Sequence, residues 1–134
     1  MTLIRPAIIL TVFAALLIFS GCWGWGVERT SWQPTEPPSG TELHIGVWVG
    51  GCDSFDTVTV RDTDQDATLQ AYIDDNTKSS CDDILRFEPH TVRLREPLLD
   101  RSLLGCNPTD AVYKLPENIS NNDCATAIRF VVTP

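Results

Sequence analysis

The sequence predicts a small all-β domain, an antiparallel β-sandwich or barrel of six to seven strands stabilised by two disulfides. Three observations predict it. Apolar residues recur at every second position in several short runs rich in β-branched side chains. No long window beyond the first segment holds a helical spacing. Four cysteines, Cys52, Cys81, Cys106 and Cys124, remain once that first segment is set aside, an even set that suits two disulfides in a small exported domain.

Taken in order, Leu43 to Val49 alternates with its odd positions apolar and stops at Gly50-Gly51. Phe55 leads into Thr57-Val58-Thr59-Val60, with Val58 and Val60 on one face. Ala67, Leu69, Ala71 and Ile73 alternate with Thr68, Gln70 and Tyr72. Asp62 to Asp66 then reads as the loop of the hairpin joining these two runs. His90 to Arg95 places Val92 and Leu94 inward. Val112 to Leu115 is a short strand and Ala127 to Val132 the last one. Ser79 to Leu85 has room for one helical turn. One-sided apolar faces imply sheets packed on each other or a sheet closed on itself.

The hairpin brings the start of its first strand beside the end of its second. Cys52 and Cys81 then lie at one end of the sheet and pair, which leaves Cys106 for Cys124 around the Asn107 to Asp123 loop. Each link is expected to contribute ~2–4 kcal/mol.

The first segment is a targeting signal. Arg5 precedes an almost wholly apolar run from Ala7 to Phe19, and Ser20-Gly21-Cys22 follows. Phe19-Ser20-Gly21-Cys22 resembles the lipobox of bacterial lipoproteins, departing from it at Phe19, where that family has Leu. The resemblance implies a signal peptide at 1–21, cleaved before a lipid-modified Cys22, and a domain held on the outer face of the cell membrane. Cys22 is also the odd cysteine of five. The alternative is an uncleaved signal anchor, since Ala7 to Trp25 approaches the ~20 residues a span needs. Residues 22–40, with Pro34, Pro37, Pro38, Gly24, Gly26 and Gly40, read as a tether. Trp23 and Trp25 suit a membrane–water interface, and Trp32 either lies there or packs on the domain. The β-domain is expected over 41–134.

A second resemblance is carried by Leu94-Arg95-Glu96-Pro97-Leu98-Leu99-Asp100-Arg101. It is similar to a strand-to-loop passage in small exported actinobacterial proteins, where a cysteine also precedes the passage. It extends over about residues 45–104 and implies a β-domain and an exported location, with no activity attached.

A net charge of −8 disfavours nucleic acid as a partner. Asp62, Asp64 and Asp66 have the opening spacing of a calcium loop, but Ala67 and Ile73 stand where Gly and Glu are required. Arg86, Arg93 and Arg95 are a candidate anion-binding set; pairing with local acids competes with that reading. His44 and His90 fall on polar strand positions and are expected at the surface. No Cys-x-x-Cys, no Gly-x-Ser-x-Gly and no triad pattern occurs, and no cofactor is implied. The expected function is a membrane-tethered, non-enzymatic domain binding an envelope protein or small molecule. The alternatives are a small hydrolase using loop carboxylates and a protease inhibitor presenting Asn107 to Asp123.

Overall fold

Val27–Thr30 and Trp32–Pro34, β1 and β2, are two halves of one extended segment that changes sheets at Ser31. The computed structural model describes residues 26–74 and 84–128. Its other strands are β3 (Glu42–Val49), β4 (Ser54–Asp62), β5 (Asp66–Asp74), β6 (Arg86–Arg93) and β7 (Ser102–Leu104), and Cys124–Ala127 form a 3-10 turn. One sheet has the order β1-β5-β4, with β7 sharing β5 as its partner; the other has the order β2-β3-β6. All pairings are antiparallel except β5 with β7.

The inward faces follow the period-two pattern. Leu43, Ile45, Val47 and Val49 from β3 meet Ala67, Leu69, Ala71 and Ile73 from β5, and all are essentially inaccessible to solvent. Trp32 lies between the sheets. It is fully buried, and its indole Nε1 donates to Leu69 O at 3.0 Å. Val92 and Leu94 are buried as the alternation requires. Val60 is not: it stays 41% exposed because β4 is an edge strand whose inner face is only partly covered.

Five elements depart from the sequence expectation, one of them β7, a strand with no counterpart in that expectation. Residues 27–34, expected in the tether, are strands. Crossing between sheets at Ser31 resets the alternation and hides it. The β6 strand starts at Arg86 rather than His90, because Arg86 to Pro89 continue the ladder opposite Val49 to Gly46. Pro89 is tolerated on an edge strand, where one side of the backbone needs no partner. Val112 to Leu115 forms no ladder, although Val112 N donates to Arg29 O and Ser31 N to Tyr113 O, which keeps this passage along β1 and β2. Ala127 belongs to the 3-10 turn, so no strand begins there; residues 129–132 lie outside those described.

One of the two expected disulfides, Cys106–Cys124, is seen, with its Cα atoms 5.6 Å apart. Cys52 is not a free thiol, and its expected partner Cys81 lies outside the described residues, as do Cys22 and most of the 79–85 turn.

The register gives the sandwich two distinct poles. Val27, Val49, Ser54, Asp74 and Arg86 mark one, where the chain comes in from the N-terminal side. Glu42, Asp62, Asp66, Arg93 and Ser102 mark the other.

Candidate functional site

The second pole carries a cleft of about 470 Å³, within the range of small-ligand and peptide sites. Three chain segments frame it: the β2–β3 connection, the passage from Leu94 to β7, and the 3-10 turn. Buried Pro34, Leu98 and Leu103 line it together with Pro38, Pro97 and Leu99, and Arg101, Ser102, Asn122 and Asp123 supply its polar part. Glu96-Pro97 stops the β6 direction, and Gly40, at φ 57°, lets the β2–β3 connection turn back into β3.

One side chain holds the loop of this cleft in place. Arg101 Nη2 donates to Glu96 O at 2.8 Å and to Pro97 O at 3.2 Å, and Nη1 donates to Thr63 O at 2.7 Å and to the Asp62 carboxylate. The other carboxylate oxygen of Asp62 accepts from Arg95 N at 2.7 Å. The loop is thereby clamped to the β4–β5 hairpin. The Arg101 hydrogen bond, then that of the Arg95 amide, holds the Asp62 carboxyl below its usual range, against the opposing effect of burial.

The clamp presents Leu99. Arg101 N donates to Leu98 O at 2.9 Å, closing a turn in which Leu99 takes φ 45°. This is the left-handed region, which suits Gly or Asn and costs a branched aliphatic residue about 1–2 kcal/mol. The side chain is 86% exposed, beside the Pro and Leu residues of the cleft.

The other sequence candidates disperse. Asp62 is committed to Arg101 and Arg95, and Asp66 accepts from Thr63 Oγ1 at 3.0 Å; no group of metal-ligating side chains forms among the described residues. The three arginines do not converge. Arg86 donates to Gly51 O and Asp53 O at the first pole, Arg93 pairs with Glu42 on the outer face of its sheet, and Arg95 has left the strand. Both ion-paired arginines have taken local acids, Arg86 facing Glu88 at 3.4 Å.

His44 lies on the outer face, with Nε2 3.2 Å from Glu36. His90 corrects its surface expectation. It pairs in register with buried Ile45, stacks on Phe55 with ring centroids 3.8 Å apart, and its Nε2 is buried without a hydrogen bond, 3.6 Å from Glu88. Period two signals this: if Val92 and Leu94 face inward, so does His90.

The Asn107 to Asp123 loop folds onto itself and the sheets. Asn107 Nδ2 donates to Ile119 O, its Oδ1 accepts from Leu115 N, and Ala111, Leu115 and Ile119 are buried. Tyr113 reaches the first pole, where its hydroxyl donates to Asp53 and fills the space a Cβ on Gly50 would need.

The fold and cleft define a small disulfide-closed β-sandwich with a cleft of mixed apolar and polar lining at one pole. Comparison with known proteins finds no matching family model, no similar curated protein and no similar solved structure. Among the described residues, no helix is long and apolar enough to cross a membrane.

Proposed function

We propose that the protein is a lipid-anchored, extracytoplasmic, non-enzymatic binding domain whose cleft takes an apolar segment of another cell-envelope protein. Leu99 carries this reading: a large aliphatic side chain kept in an unfavourable backbone conformation and almost fully exposed beside a cleft lined by Pro and Leu. A backbone cost of that kind, held by a dedicated clamp, marks a site rather than a packing solution. In this reading residues 1–21 are removed, Cys22 bears the lipid, and Cys52 pairs with Cys81.

The hydrolase alternative needs a carboxyl raised in a cleft; Asp62 is displaced in the opposite direction and is bound to Arg101. The inhibitor alternative needs a protruding loop, whereas Asn107 to Asp123 is held down by buried Ala111, Leu115 and Ile119, with Val112 left exposed.

The test places a photo-crosslinking residue at Asn122, which lines the cleft, in intact cells. A discrete adduct is expected, and Leu99→Asp is expected to abolish it without lowering the amount of protein. No adduct, or one indifferent to Leu99→Asp, removes the cleft from the proposal. The anchor is tested separately, since Cys22→Ala should eliminate incorporation of a fatty-acid probe.

A further inference from the structure

We infer that the pole opposite the cleft rests on the bilayer itself, with Ile84, Leu85 and Val27 as its apolar contacts. The inference builds on the lipid-anchor reading and adds an orientation to it. Because Val27 already belongs to β1, only residues 23–26 separate Cys22 from the first strand. Fully extended, that connection reaches no more than about 18 Å. The eighteen-residue spacer that 23–40 would have supplied is absent, so a membrane in which Cys22 is anchored lies within that short reach of the domain.

The pole brought to the membrane is not polar throughout. Val27, opposite Asp74, is 43% exposed. Ile84 and Leu85, immediately before the β6 residue that pairs with Val49, are 62% and 44% exposed. Three exposed aliphatic side chains therefore share the end of the sandwich that the anchor holds down, and in sequence Trp23 and Trp25 lie between that end and Cys22. The charge at this pole selects the lipid. Arg86 is occupied by the Gly51 and Asp53 carbonyls and by Glu88, Asp53 accepts from Tyr113, and Asp74 is exposed. With Arg86 engaged, Arg29 on β1 facing Asp110 at 3.7 Å and an aspartate at the surface, the pole suits a zwitterionic headgroup layer rather than an anionic one. The cleft and Leu99 then face away from the membrane, toward a partner.

The test uses the acylated full mature chain in nanodiscs of zwitterionic lipid carrying a paramagnetic headgroup, read as broadening of backbone amide resonances. Val27 serves as the internal reference, because the short connection alone brings it near the bilayer. Strong broadening at Leu85 and Arg86, with Leu99 to Ser102 untouched, is expected. Ile84→Asp combined with Leu85→Asp should remove that contrast and leave the rest of the spectrum intact, since both side chains are exposed. Uniform broadening of the acylated chain, or a contrast that survives the double substitution, overturns the contact. A mature chain whose mass carries no acyl groups overturns the anchor reading, and this inference with it.

Discussion

Trp32 and Asp62 show how far single residues can depart from what their neighbours in sequence suggest. Trp32 is followed by Pro34, Pro37 and Pro38 and comes after two other tryptophans close to the lipobox-like segment, a composition that reads as an interfacial stalk. In the fold it is the largest side chain between the sheets and ties them through its bond to Leu69 O. Asp62 opens an acidic run that resembles a cation loop, yet it is the counter-ion of Arg101, a partner 39 residues away that local spacing cannot reveal. Its lowered pKa has a direct consequence. A carboxyl with a folded value below 3.8 stabilises the fold at pH values above 3.8, and that contribution disappears as pH falls through the lower folded value. Asp62→Asn is therefore expected to lower the urea midpoint at neutral pH and to flatten its decline below pH 3.8. A variant whose midpoint falls with acid as steeply as the wild type would mean that the clamp contributes nothing to acid stability.

At the scale of elements, legibility tracked length and one-sidedness. β3, β4 and β5 each run eight or nine residues, long enough for alternation to declare the strand, and in β3 and β5 it also declares the buried face. β7 has three residues and pairs in parallel with β5, so neither alternation nor hairpin chemistry could mark it. Pattern could not place the contacts of the 107–123 loop either, because polar groups fold it: Asn107 bridges Ile119 and Leu115, and Gly105 N donates to Asn121 O at 2.9 Å. Gly105 is required there, at φ 98° with a Cβ position blocked by Leu69 O. Cys106–Cys124 closes this loop over 18 residues, which in a chain-entropy account stabilises the fold by about 3 kcal/mol. Replacing both cysteines by Ala should cost roughly that amount in denaturant titration. It should also raise amide exchange from 107 to 123, including Tyr113, which links the loop to Ser31 and Asp53. Unchanged exchange would show that the Asn107 network alone holds the loop.

For the whole molecule, the proposed reading divides anchoring from recognition between the two poles, and Leu99 is where that division can be measured. The apolar pattern announces a sandwich core but is silent about the cleft, since Leu98-Leu99 in sequence looks like two core residues and only the turn separates buried Leu98 from exposed Leu99. If Leu99 stabilised the fold, shortening it would cost stability. The geometry says the reverse. At φ 45° its backbone is strained, and at 86% exposure its side chain has little packing to lose. Asn adopts the left-handed region readily, so Leu99→Asn should hold or raise the melting temperature, by an amount equivalent to about 1 kcal/mol at most. In the same chain the adduct formed from Asn122 should disappear, because the exposed aliphatic group is what a partner's apolar segment would cover. Stability and capture moving in opposite directions would identify Leu99 as a recognition residue kept against the preference of its backbone. A fall in melting temperature with capture intact would make Leu99 part of the packing and leave the cleft without its reader.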